Sequence, residues 1–165
     1  MRSSEPSHVG DDIMIRWLFA SLHLLGLGVG LGAVWARARA LREPLDAAGL
    51  RRVFYADSWW GVAAALWIGT GLVRLIGGLE KGMDYYLRNH VFWGKMTLLL
   101  AVLLLELSPM VTLVRWRIQA RRGEMPDTRR AGRFASISYV QAALVLLMVL
   151  AAVVMARGIG TAPRG

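Results

Sequence analysis

Four long apolar stretches dominate the 165-residue chain, and each is wide enough to cross a bilayer. A hydrocarbon core about 30 Å thick takes roughly 20 residues of helix. In that solvent the backbone must satisfy its own hydrogen bonds, so such a run is a helix and not an open strand or loop. The runs cover residues 14–35, 58–79, 91–114 and 135–156. With 56% hydrophobic residues and a mean hydropathy of +0.45, the chain has too little polar surface to enclose a core of this size in water. The expected fold is all-α: one membrane domain over residues 1–165, built as a four-transmembrane-helix bundle. Glu5, Asp11 and Asp12 precede the first run, and no small-residue cleavage site follows a short apolar core. That run is therefore read as a span and not as a cleaved leader.

The net charge of +9 is unevenly placed. Of 20 Lys and Arg, 18 are Arg, and twelve fall in residues 37–52 and 115–133, between apolar runs. Six lie on the opposite side, while Arg74 and Lys95 fall inside spans. Basic loops stay in the cytoplasm, so the expected topology has two basic cytoplasmic loops and both termini outside, in a bacterial inner membrane crossed several times. The arginines are placed to meet anionic lipid headgroups; a nucleic-acid stripe would not be divided by apolar runs. The chain has no cysteine, which excludes disulfides, thiolate metal sites and cysteine nucleophiles.

In the first basic loop, Pro44 can open a short surface helix in which Leu45, Ala48, Val53 and Phe54 face lipid and Arg51 and Arg52 face headgroups. The second loop reads as a helix extension, a turn at Gly123 and Pro126, and a second approach. Tyr85, Tyr86 and Trp93 are placed for an outer aromatic belt, Trp59 and Trp60 for an inner one. Each half of the chain is a span, an arginine-rich loop and a span, closing on V-R-L-I-G-G at 73–78 and A-R-G-I-G-T at 156–161. A parallel repeat of two hairpins and chance likeness among apolar helices both produce such a match. Gly26, Gly28, Gly30 and Gly32 form two G-x-x-x-G spacings, which let a neighbouring backbone come close or leave room for a flat ligand.

Ionisable groups inside a bilayer are costly, by about 2.5–3.5 kcal/mol or more near its centre, and normally face protein. Counted from the outer ends of their spans, His23 lies roughly 13 Å deep and Arg74 and Lys95 roughly 8 Å deep. Three helices thus bring cationic or potentially cationic groups to one half of the bundle. Arg74 and Lys95 can snorkel outward; His23 is too short to do so, and reads either as a hydrogen-bonded packing residue or as a ligand. A haem uses all three: imidazole and a neutral amine bind iron from opposite faces, and a guanidinium pairs with a propionate. His90, His8 and Met148 are other second ligands by type, although Met148 and Met155 read first as apolar packing. Toward the inner side, Glu106, Ser108, Pro109, Tyr139 and Gln141 form a second polar cluster. There Ser108 can satisfy the carbonyl freed by Pro109, and a protonated Glu106 bonds Gln141 or serves a proton relay. Motifs of zinc proteases, serine hydrolases and P-loop nucleotide binders are absent.

The stretches Trp59-Trp60-Gly61, Gly71-Leu72-Val73-Arg74, Glu80-Lys81-Gly82-Met83-Asp84-Tyr85-Tyr86, Asn89-His90-Val91-Phe92-Trp93-Gly94-Lys95 and Met155-Ala156-Arg157-Gly158-Ile159-Gly160 resemble a bacterial family of predicted membrane proteins, domain of unknown function 2214. More distantly, Leu22-His23 and Trp93-Gly94-Lys95 are similar to elements of the HemJ-type protoporphyrinogen oxidases. That likeness implies haem b held by a first-span histidine and a third-span lysine, which are His23 and Lys95 here. The chain departs from that pattern at Leu27, where the family has methionine, and lacks its C-terminal asparagine-glutamate-valine-proline element. The family's arginine precedes span two, where Arg51 or Arg52 stand nearest. The expected function is a membrane haem b protein with a redox or electron-transfer role, His23 and Lys95 as metal ligands and Arg74 as propionate clamp. The alternatives are a non-catalytic accessory subunit, docking a partner helix or a second copy on its glycine faces, and a small-solute or proton module reaching Glu106.

Overall fold

The computed structural model describes residues 7–77 and 87–157, with the backbone alone for 7–12. They form four helices: α1, Ser7–Ala40; α2, Ala47–Ile76; α3, His90–Arg121; and α4, Ala131–Ala156. All four are long and apolar enough to cross a membrane. The chain is an all-α four-helix membrane bundle. At 1.5 Å per residue, the 30 residues of α2 and 32 of α3 reach about 45 and 48 Å. A core of about 30 Å is exceeded by several turns, and the added turns lie mainly at the arginine-rich end.

The surface helix expected after Pro44 does not form separately. Six residues, 41–46, connect α1 to α2, and Arg51 and Arg52 stand on the first turns of α2 itself. Asp46 caps that helix, accepting a 2.7 Å hydrogen bond from the Gly49 amide, which satisfies one of the N–H groups that a helix start leaves open. The turn is so tight that a Cβ at Gly49 would strike the Pro44 carbonyl oxygen. The second connection turns at Gly123, whose φ of 77° suits glycine.

Around the bundle, α1 packs most extensively on α2 and also on α4, α4 packs on α3, and α2 and α3 share little boundary. Two apolar clusters fill the interior. At the arginine-rich end, Ala40, Leu50, Val53, Leu113, Trp116 and Phe134 bring all four helices together. Further along lie Val34, Trp60, Val102, Ala142 and Val145. Trp60 is therefore core, 4% exposed, and only its neighbour Trp59 faces outward; the inner belt expected of both loses one member to packing. Trp93 is exposed, its indole N–H donating to the Leu87 carbonyl at 3.0 Å. Tyr85, Tyr86 and the repeat ends beyond 77 and 157 lie outside the described residues.

The glycines of α1 divide by face. A Cβ at Gly26 would lie 3.1 Å from the Trp67 amide nitrogen, and one at Gly30 would lie 3.4 Å from Trp60 and Ala63, so this pair seats α2 against α1. Gly28 and Gly32 have no such neighbour. They open an apolar groove of about 550 Å³ between α1 and α4, flanked by Trp35, Tyr139 and Leu146.

Candidate functional site

His23 is half-buried on α1 and turned onto α2. Its Nδ1 lies 3.0 Å from the Trp67 carbonyl oxygen and 3.1 Å from Thr70 Oγ1, and its Cε1 rests against Gly71, where a Cβ would come within 3.1 Å. A carbonyl oxygen only accepts, so Nδ1 carries the proton, and in the neutral ring Nε2 keeps the lone pair. Thr70 gives its own proton to the Leu66 carbonyl at 2.7 Å. Arg74 of α2 and Lys95 of α3, both half-buried, act electrostatically on His23, and Arg74 also acts on Lys95. Three helices thus place the three groups in one electrostatic neighbourhood.

The other second-ligand types stand elsewhere. His90 opens α3 and is exposed, Met148 is 2% exposed in the interior of α4, and Met155 is half-buried. The side chain of His8 lies outside the described residues. Among the described residues, no three His, Asp or Glu side chains gather as a metal-binding group.

The inner cluster is built differently from the expectation. Its centre is Arg37, fully buried on α1, a residue counted in the sequence as a headgroup-facing loop arginine. All five of its N–H groups are engaged: Nε with Ser138 Oγ at 3.1 Å, one terminal nitrogen with Asp57 at 2.9 Å and Glu106 at 2.7 Å, the other with Glu106 at 2.7 Å and Gln141 at 2.9 Å. Arg117 of α3 closes the ring at 3.0 Å from the second oxygen of Asp57. Two guanidinium groups and two carboxylates balance in charge, and all four helices contribute. Trp60 lies under Arg37, 5.9 Å from its ring centre.

Gln141 bonds Glu106 at 2.7 Å and the Val102 carbonyl at 3.2 Å through its amide nitrogen, so that pair of the expected cluster does meet. The expected proton donor is not seen: among the described residues Glu106 accepts every hydrogen bond it makes, two from Arg37 and one from Gln141. Ser108 is exposed and makes no hydrogen bond among the described residues, because α3 carries it on the lipid side while Pro109 is buried. Tyr139 turns away from the cluster, 5.0 Å edge-on to Trp35 and beneath Arg42. The apolar runs alone do not single out Arg37, Asp57 or Arg117. The available signal was periodic: Gly30, Ala33, Val34 and Arg37 follow one helical face, and Asp57 and Glu106 are the carboxylates of α2 and α3 left to pair.

Comparison with known proteins supplies a family. The family described as predicted membrane protein (DUF2214) matches residues 15–160. No curated protein and no solved structure matches the chain.

Proposed function

Because the chain belongs to the DUF2214 family of predicted membrane proteins, its buried polar groups work inside a bilayer, and we propose that it is a haem b-binding protein of the bacterial inner membrane with a redox or electron-transfer role. The observation that carries this reading is the bond from His23 Nδ1 to the Trp67 carbonyl. Metal-binding histidines are commonly held by such a bond, which fixes the ring and leaves the other nitrogen to the metal. The donor set fits the cofactor in kind. His23 Nε2 and the Lys95 amine would hold the iron, and the Arg74 guanidinium would pair with a propionate. When bound, the haem supplies one-electron chemistry, while the protein supplies ligation and a water-poor setting. The purified protein tests this directly. A Soret band is expected in the wild type, lost in His23→Ala and displaced in Lys95→Ala; a colourless wild type, expressed with haem available, overturns the reading.

A second reading, a non-catalytic subunit, is favoured by the open Gly28–Gly32 face, where a transmembrane helix of a partner protein can lie close. Cross-linking from Gly28→Cys in native membranes would capture that partner. A chain that stays monomeric and uncross-linked there dismisses it.

A further inference from the structure

The boundary between α2 and α3 opens, at the arginine-rich end, into a cavity of about 470 Å³. Residues at helical spacing line it from both sides: Arg51, Phe54, Tyr55 and Ser58 on α2, Arg117 and Arg121 on α3. Their charges are not balanced. Asp57, the neighbouring carboxylate, is already shared by Arg37 and Arg117, and Arg37 also holds Glu106. Arg51 and Arg121 have no ion-pair partner among the described residues. Arg117 spends one nitrogen on Asp57 and the Phe54 carbonyl, and its Nε is buried with no hydrogen-bond partner among the described residues. A buried donor left open is costly, and three guanidinium groups lining one cleft, two of them exposed, raise its positive potential and favour an anion there.

The cavity also has an apolar side, since Phe54 and Tyr55 flank the arginines. It lies within the first dozen residues of a helix several turns longer than the hydrocarbon core, which is headgroup depth. Planar guanidinium forks match phosphate oxygens in pairs, and basic pockets between membrane helices on the cytoplasmic side hold anionic headgroups. We propose that this α2–α3 cleft binds the phosphate of an anionic phospholipid, with Arg51, Arg117 and Arg121 as its donors and Phe54 and Tyr55 against the glycerol and acyl portion.

Purified protein in neutral detergent, titrated with phosphatidylglycerol or phosphatidylcholine and read by native mass spectrometry, tests the site. Arg117 is left in place because it holds Asp57. The wild type should retain phosphatidylglycerol well above phosphatidylcholine. A double Arg51→Gln, Arg121→Gln variant should lose at least tenfold in that affinity. A double Arg130→Gln, Arg133→Gln variant removes the same charge from exposed positions outside the cleft and should behave as wild type. Equal losses in the two variants, or equal binding of the two lipids, overturn the site. Inorganic phosphate is the separate arm: binding of phosphate alone with the same arginine dependence, and no gain from acyl chains, overturns the lipid as the occupant.

Discussion

Arg37 has no solvent contact, and each of its N–H groups has an acceptor. A buried ion pair adds little net stability, because desolvation offsets attraction, but removing one partner strands the other. Arg37→Met leaves Glu106 with Gln141 alone, while Asp57 keeps Arg117. We expect a loss of about 3–5 kcal/mol, read as a lower midpoint of thermal unfolding in a fixed detergent. Adding Glu106→Leu removes the stranded charge and should return part of that loss; additive losses in the double variant would show that the two residues do not act as a pair. Arg37→Lys keeps the charge but gives up the fork that spans Glu106, so it should fall between. Little of this was legible in the sequence. An arginine two residues past the end of an apolar run looks the same whether it reaches water or turns inward, and the choice is made by carboxylates about 20 and 69 residues away. The Glu106–Gln141 contact was legible because their depths in the membrane agree.

The elements were easier to read than their ends. Apolar runs locate helices because backbone groups in lipid have no other partner, yet α2 begins at Ala47 and not at residue 58. Asp57 and Ser58 resemble a boundary only while the ion pairs of Asp57 are unknown. The glycines of α1 were legible as a packing signal, though not which pair packs. Overfilling a packed contact costs about 1–3 kcal/mol, so Gly26→Val should destabilise by about that much, since its Cβ already meets backbone of α2. It should also disturb the His23 bond to Trp67, three residues along the same face. Gly28→Val, facing the open groove, should leave the unfolding midpoint nearly unchanged. A matched loss at both positions would mean that the groove is filled in the membrane. Gly49→Ala should be worse than its helix propensity suggests, because the added methyl meets the Pro44 carbonyl oxygen.

Across the whole molecule, the same arginines that build the network also serve in the argument for orientation, and the two uses compete. By the rule that basic loops stay inside, twelve basic residues on one side against six on the other argue for an arginine-rich end facing the cytoplasm, the orientation we propose. Arg37 is internal, and Arg117 is committed to Asp57 with its side chain 30% exposed; setting both aside still leaves ten. The asymmetry survives because the connections themselves, residues 41–46 and 122–130, and the helix ends beside them carry the rest. In that proposed orientation the Arg37 network lies toward the cytoplasmic side and His23, Arg74 and Lys95 in the outer half, and the proposed redox centre would exchange electrons with a partner on the outer face. The chain's lack of cysteine makes the topology simple to test, since a single introduced thiol is the only one that can react. Glu43→Cys and Glu124→Cys, both exposed in the connections, should resist a membrane-impermeant maleimide in intact spheroplasts and label readily in inverted vesicles. Labelling in spheroplasts would reverse the bundle. It would also move the arginine-lined cleft to the outer leaflet and bring the His23 neighbourhood under the cytoplasmic surface.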